Sequence, residues 1–201
     1  MKGESVFRGI AATLLAAALS VSAYYRHRAE QASEEKISWR EEGLPTFIAL
    51  RSSGLALLLS VMAYLLNPRW MEWSSLSLPA WLRWSGAGLG AATLPLTYWV
   101  FRSLGKNITP TVETRENHEL VTSGPYLWVR HPLYSVGTAF FVSLSLVAAN
   151  WFIGLGSLSG LAMLLVRLPK EEAKLIERFG DEYRLYMERT GRFLPRLRGP
   201  G

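Results

Sequence analysis

Long apolar runs with almost no charge alternate along this chain with strongly charged connectors. Five such runs lie at about residues 6–25, 44–66, 80–101, 133–149 and 151–168. A run of about 18 or more apolar residues exceeds what a soluble core helix usually needs and is typical of a membrane span. The sequence therefore predicts an all-α integral membrane protein, one domain over residues 1–201 with about five transmembrane helices.

The first two runs each allow two interpretations. Val21-Ser22-Ala23 resembles a signal-peptide cleavage site, but the length of the first run and the spans that follow favour a retained transmembrane helix. Arg51 lies within the second run, where an arginine either extends to the nearby membrane surface or serves a function. We expect the charged connector from Arg26 to Gly43 to form a surface loop or a short helix.

The third run contains small residues and a proline. Gly86 and Gly90 are four residues apart, a spacing that suits close packing against another helix. Pro95 is expected to kink the helix that this run forms.

The last two runs and the tail predict a hairpin and an amphipathic helix. Both runs are short for a full span and flank Asn150, so we expect a tight helical hairpin. After Pro169, apolar residues share one broad face of a helical pattern, and charged residues fill much of the remainder. We therefore expect a C-terminal amphipathic helix that begins after Pro169 and is ended by Gly191 and Pro195.

The formal net charge of +6 could suggest a nucleic-acid partner. The basic residues lie mainly beside apolar runs, however, so membrane lipids are the expected partners, with no nucleic acid. Five spans place 26–43, 102–132 and the tail after Arg167 on one side, which is expected to be cytoplasmic because it carries most Lys and Arg. The chain has no cysteine, which excludes disulfides, thiolate metal sites and a cysteine nucleophile, and we predict no metal site.

Arg130-His131-Pro132 opens the fourth run with two basic side chains at an unfavourable place. Pro132 suits the first position of a helix, but the positive end of the helix dipole gives Arg130 and His131 no stabilisation. Such a choice suggests an outside partner, such as a carboxylate or an adenine ring. The alternative is that Arg130 is an ordinary membrane anchor and His131 a surface residue.

Two further segments are candidates for ligand binding. Glu171 and Glu172 would stabilise the start of a helix, yet Glu172 precedes the buried face and needs a partner, either a bound ammonium or sulfonium group or Arg167. Gly124 and Pro125 form a tight turn, in which glycine permits a ligand to approach the backbone. The alternative is that this turn only connects two elements.

The C-terminal half, from Leu104 onwards, contains these motifs in a fixed order. They are Ser-Gly-Pro-Tyr at 123–126, Arg-His-Pro-Leu-Tyr at 130–134, Gly137, Arg167, Glu171-Glu172, Leu175, Phe179-Gly180, Tyr183 and Tyr186. The set resembles the isoprenylcysteine carboxyl methyltransferase family, which is similar to the phospholipid N-methyltransferases. The resemblance implies an S-adenosylmethionine-dependent membrane methyltransferase, in which 104–201 enclose the cofactor beside N-terminal transmembrane helices in 1–103.

The resemblance also implies roles for individual residues. Glu171 or Glu172 would hold the amino group of the cofactor, and Arg130 would be structural or bind its carboxylate. Arg167 would hold an anionic, lipophilic acceptor, for which a prenylcysteine-type carboxylate is the first choice, and Glu171 would act with it in catalysis. The remaining residues expected around a cytoplasm-facing cofactor site are Gly124, Pro125, Tyr126, His131 and Tyr134.

Two other functions remain open at this point. Some membrane sterol and enoyl reductases, which use NADPH, resemble the same C-terminal pattern, but their tails typically pair Lys-Tyr-Gly with a Trp, whereas this chain reads Arg178-Phe179-Gly180. A non-catalytic membrane scaffold is the third possibility, although a scaffold has no reason to direct Glu172 and His131 toward one pocket.

Overall fold

A computed structural model describes residues 2–31, 44–108 and 119–196. These ranges contain five long helices and a short one. They are α1 (Lys2–Gln31), α2 (Leu44–Leu66), α3 (Ala80–Leu104), α4 (Pro132–Ala148), α5 (Trp151–Phe179) and α6 (Asp181–Arg189). Short 3-10 turns follow α2 and precede α4, and pairing of extended chain within the described ranges is limited to two isolated bridges.

The predicted all-α membrane fold is confirmed. Three helices, α1, α2 and α5, are by length and composition apolar enough to cross a membrane, and α4 is a shorter apolar helix. Leu55, Leu59, Leu158 and Val166 on α2 and α5 are each more than half exposed, which suits contact with acyl chains rather than water. The expected loop or short helix in the first connector lies partly outside the described residues, at 32–43, while Arg26 itself belongs to α1.

The glycines of α3 allow this helix to lie directly against its neighbours, as their spacing predicted. A Cβ atom on Gly86 would lie 2.6 Å from Leu146 Cβ on α4, and one on Gly90 would lie 2.6 Å from Leu14 Cδ1 on α1. Pro95 lies inside α3, which continues to Leu104.

The hairpin between α4 and α5 is also confirmed, and Asn150 stabilises it. Ala149 adopts a left-handed conformation with φ of 49° and reverses the chain. The Asn150 side chain then caps α5, because its Oδ1 atom accepts hydrogen bonds from the backbone amides of Phe152 and Ile153. Its Nδ2 atom donates to Ser74 Oγ at 2.8 Å, which ties the hairpin to the turn after α2.

The prediction that a new helix begins after Pro169 was wrong. Helix α5 passes through Pro169 and ends at Phe179, where Gly180 has a φ of 56°. A proline removes one hydrogen bond and crowds the preceding turn, but packed neighbours and local adjustments allow membrane helices to contain one. The amphipathic pattern itself is present in α6, which buries Tyr183 and exposes Asp181 before it ends at Arg189.

A polar network fixes α1 to the bundle. The Glu4 carboxylate accepts hydrogen bonds from Arg83 Nη1 at 2.9 Å and from Tyr64 Oη at 2.7 Å. Arg83 Nη2 also donates to the Val147 carbonyl at 2.7 Å, near the end of α4. Since α1 also forms part of the wall of a cavity at the other end of the bundle, this network holds that wall in position.

Candidate active site

A cavity of about 540 Å³ lies at the end of the bundle that contains the start of α4 and the end of α1. Every helix from α1 to α6 contributes side chains to its wall. This volume is within the range of small-molecule sites, about 300–1,000 Å³. The wall is mainly apolar but includes polar and charged side chains, namely Ser22, Arg26, Arg51, Thr97, Asn107, Tyr126, Arg130, His131, Tyr134, Arg167, Glu171, Tyr183 and Tyr186.

Backbone pairing with the C-terminal tail orients the Arg-His-Pro segment. Arg130 N donates to Gly191 O at 2.8 Å, and His131 N donates to Arg192 O at 3.0 Å. Gly191 N donates in return to Trp128 O at 3.1 Å. A Cβ atom on Gly191 would lie 1.8 Å from Leu194 O, so this pairing requires glycine.

Arg130 is buried and uses its donors within the protein. Its Nε atom lies 3.2 Å from Glu172 Oε1, and its Nη1 atom donates to Met187 O at 3.0 Å and Thr190 O at 2.5 Å. Arg192 Nη2 lies 2.6 Å from Glu172 Oε2. The Glu172 carboxylate is thus held between two guanidinium groups, and of the two roles expected for Arg130 the geometry favours the structural one.

Glu171, by contrast, faces the cavity. Tyr134 Oη donates a hydrogen bond to Glu171 Oε2, and the Tyr134 ring stacks on His131 with centroids 5.4 Å apart. His131 Nδ1 lies 3.7 Å from Glu171 Oε1, and Arg167 Nε lies 3.7 Å from Glu171 Oε2. His131 also lies 3.4 Å from Glu172 Oε1 through Nε2, so its ring separates the two carboxylates.

Three tyrosines form the aromatic part of the wall. Tyr186 Oη donates to the Tyr126 carbonyl at 2.6 Å, which joins α6 to the turn before α4. Tyr183 is 1% exposed, and its Oη atom has no hydrogen-bond partner among the described residues. Burial raises the pKa of Tyr126 and of Tyr183 and raises the pKa of Tyr186 to about 12. All three phenols therefore remain protonated near neutral pH and can donate hydrogen bonds.

The structure brings most of the predicted site residues together. Those that line the cavity are Tyr126, Arg130, His131, Tyr134, Arg167 and Glu171. Gly124, Pro125 and Glu172 are not among the described residues of its wall. Gly124, with φ of 63°, instead packs on α3, where a Cβ atom would lie 2.4 Å from Ser103 Oγ. Gly124 was expected to allow a ligand to approach the backbone. In the structure it is α3 that lies close to this glycine.

Sequence reasoning did not single out three residues of this region. Arg26 and Tyr183 line the cavity, and Arg192 pairs with Glu172. Tyr183 belonged to the ordered motifs and was assigned only to the buried face of a helix. Arg26 and Arg192 had no local signal, because their positions depend on how distant segments pack.

Fold and site together define a helical integral membrane protein with a polar and aromatic cavity at one end. Residues 89–177 match the model of the isoprenylcysteine carboxyl methyltransferase (ICMT) family. This match covers somewhat less than half of the chain. The structure of the eukaryotic intramembrane Ras methyltransferase ICMT has a similar fold, with a TM-score of 0.53 and 22% identity over 96% of this chain and 70% of that chain.

Curated relatives match somewhat less than half of the chain. Human protein-S-isoprenylcysteine O-methyltransferase is 34% identical over 98 residues, which cover 47% of this chain and 34% of the relative. The nickel-cobalt-cadmium resistance protein NccN of Alcaligenes xylosoxydans xylosoxydans is 35% identical over 88 residues, which cover 43% of this chain and 40% of the relative. This chain therefore spans between a third and two fifths of these relatives. Within the described residues, no group of three or more His, Cys, Asp or Glu is placed to hold a metal ion.

Proposed function

We propose that this protein is an S-adenosylmethionine-dependent methyltransferase that methylates the carboxylate of a lipophilic acceptor of the prenylcysteine type. The observation that carries this proposal is the placement of Glu171. Within the family-matched segment, its carboxylate faces a cavity with aromatic walls, whereas the adjacent Glu172 is neutralised by arginines. The family match also favours this reaction over the reductase and scaffold alternatives.

The residues of the cavity fit the methyl donor. When bound, S-adenosylmethionine supplies an electrophilic methyl group on a sulfonium. Glu171 would bind the ammonium group of that molecule, because a charge-assisted pair of this kind is strong in a partly buried site. The unpartnered Tyr183 Oη would donate a hydrogen bond to an acceptor atom of S-adenosylmethionine, and the rings of Tyr126 and His131 suit a purine face.

The protein does not need to supply a nucleophile. It needs to align the acceptor with the methyl donor and to exclude water from both. Methyl transfer to a carboxylate is an in-line displacement that requires no base, only a close, oriented acceptor from which water is excluded. Leu133, Phe140 and Leu164 line the cavity and would exclude water. Arg167, 3.7 Å from Glu171, would hold the acceptor carboxylate beside the donor site. For an amine acceptor, His131 or Glu171 would take up a proton.

Two binding measurements and one activity measurement test this proposal. We expect S-adenosylhomocysteine, but not NADPH, to bind the purified protein in calorimetric titrations. Glu171→Gln should weaken that binding by about 1.5–3 kcal/mol. Its control is Glu177→Gln on the same helix, whose side chain is 72% exposed and should leave the affinity unchanged. Tight binding of NADPH, or normal affinity in a folded Glu171→Gln protein, would contradict the assignment.

The activity measurement concerns Arg167. We expect Arg167→Ala to reduce methyl transfer to an S-prenylcysteine acid while the same protein still binds S-adenosylhomocysteine. If affinity for S-adenosylhomocysteine falls together with activity, Arg167 acts by holding Glu171 in place. If activity persists, the acceptor carboxylate is bound by other residues.

A further inference from the structure

Three arginines from three helices line the cavity. Arg26 lies near the end of α1, Arg51 lies two turns into α2, and Arg167 lies on α5. Arg26 is close enough to both other arginines for their charges to interact, and Glu30 on its own helix acts on it with the opposite sign. An anion bound among the three arginines would reduce the repulsion between them.

Arg26 and Arg51 are exposed residues of the cavity wall and differ in their partners from the buried Arg130 and Arg167. Arg26 Nε donates to Ser22 Oγ at 3.1 Å, and its guanidinium lies 6.0 Å from the centre of the Phe101 ring. The Arg51 guanidinium lies 5.2 Å from the centre of the Phe47 ring. Among the described residues, neither forms an ion pair with a carboxylate, whereas Arg130 and Arg167 each contact a glutamate.

The face of α1 that lines the cavity is apolar at one end and positively charged at the other; we call it the α1 stripe. Leu15, Ala18, Leu19, Ser22 and Arg26 all line the cavity at helical spacing. From Leu15 to Arg26 the stripe extends about 16 Å at about 1.5 Å per residue. It is apolar along its first part and cationic at its end, so an acyl or prenyl chain lying along it would place an acidic head group near Arg26.

We propose that Arg26 and Arg51 extend the carboxylate site of Arg167 into an anion site that selects acceptors with a carboxylate head, with the chain of the acceptor along the α1 stripe. This inference rests on the proposed function. It assigns acceptor recognition to the N-terminal helices and methyl-donor binding to the C-terminal half. Two guanidinium groups suit one carboxylate, since each presents paired donors in a planar fork.

The test compares an N-acetyl-S-prenylcysteine acid with its uncharged carboxamide, by direct binding to the full chain in phosphatidylcholine nanodiscs without methyl donor. The wild-type protein should bind the acid more tightly by about tenfold or more, as expected for a charge-assisted contact. The double variant Arg26→Gln/Arg51→Gln should lose this preference. Arg28→Gln should keep it, because Arg28 is exposed on the same helix, as Arg26 is, but lies outside the described cavity wall.

Two further arms separate the possible failures. If the glutamine variant fails to fold, the double variant Arg26→Lys/Arg51→Lys serves as a second test. It keeps both charges and should therefore retain part of the preference for the acid. Equal binding of acid and carboxamide by the wild-type protein, or a preserved preference in the folded glutamine variant, would overturn the anion site. So would loss of the preference in phosphatidylglycerol nanodiscs, which would assign the two arginines to a phospholipid head group.

S-adenosylhomocysteine binding, measured on the same samples, keeps this inference distinct from the proposed function. A wild-type protein that prefers the acid but does not bind S-adenosylhomocysteine would refute the methyl donor and support the anion site. A protein that binds S-adenosylhomocysteine but shows no preference for the acid would refute the anion site alone.

Discussion

Arg130 and Glu172 form a buried ion pair across 42 residues of sequence, with Arg130 Nε 3.2 Å from Glu172 Oε1. Their side chains are 6% and 5% exposed. Arg192, itself half exposed, contacts the other oxygen of the same carboxylate. Three segments therefore meet at one carboxylate. They are the start of α4, the C-terminal half of α5 and the tail.

Removing this carboxylate should destabilise the protein rather than act directly on ligand binding. Glu172→Gln leaves Arg130 buried without its counter-charge, and breaking a buried pair typically costs about 3–5 kcal/mol. We expect a clear decrease in Tm for thermal unfolding in detergent, measured without ligand. Glu177→Gln is the matched control on the same helix and should change stability by at most about 0.5 kcal/mol. An unchanged Tm in Glu172→Gln would show that the carboxylate is not structural.

Two tyrosines of α6 should respond in opposite ways to loss of the hydroxyl group. Tyr183→Phe removes a buried Oη atom that has no partner among the described residues, so Tm should stay equal or rise while affinity for S-adenosylhomocysteine falls by about 0.5–1.5 kcal/mol. Tyr186→Phe removes the donor to the Tyr126 carbonyl and should lower Tm instead. Calorimetric titration and thermal unfolding of both variants distinguish the two roles. Normal affinity in Tyr183→Phe would remove Tyr183 from the binding site.

The parts of the fold that local sequence determines were predictable. The helical hairpin follows from two apolar runs around Asn150, and the contact of α3 with its neighbours follows from the spacing of Gly86 and Gly90. Pro169 does not begin a new helix, as its position in the sequence predicted, because the effect of a proline on a helix depends on the surrounding packing. A membrane helix can lose one hydrogen bond at a proline and continue when neighbouring groups compensate.

The site was predictable as a set of residues but not as an arrangement. Glu171 and Glu172 are adjacent, and successive residues on a helix point about 100° apart, since a turn contains about 3.6 residues. Only the packing of α5 decides that Glu171 faces the cavity and that Glu172 meets Arg130. The partner Arg192 lies 20 residues from Glu172 and reaches it through the pairing of Gly191 with the segment before α4, a contact that no local pattern indicates.

That pairing should be sensitive to a single methyl group. Gly191→Ala would place a Cβ atom against the Leu194 carbonyl, so the tail must move and Arg130 and His131 lose their backbone partners. We expect a lower Tm together with weaker S-adenosylhomocysteine binding. Gly160→Ala is the control, because a Cβ atom there meets nothing within 4 Å and alanine favours a helix. A Gly191→Ala protein with normal Tm and affinity would show that the tail does not position the site.

The basic residues of the described helices predict how the cavity is oriented in the membrane. Arg26, Arg102, Arg130 and Lys170 lie toward the end of the bundle that contains the cavity, and an excess of basic residues marks the cytoplasmic side. We therefore expect the cavity to open to the cytoplasm. Ser77, in the exposed turn before α3, belongs to the opposite end, which the bridge between Ser75 and Asn150 connects to the hairpin.

Single cysteines in this cysteine-free chain report that orientation directly. Leu194, 76% exposed in the tail, and Ser77 are suitable positions because neither side chain lines the cavity in the described structure. In sealed vesicles of known orientation, a membrane-impermeant maleimide should label Leu194→Cys only from the cytoplasmic face and Ser77→Cys only from the other face. Between these two positions the chain is expected to cross the membrane three times, by α3, α4 and α5. Labelling of both cysteines from the same face would therefore contradict this topology. The reverse pattern would keep the fold but place the cavity, and with it the access of a polar methyl donor, on the outer side.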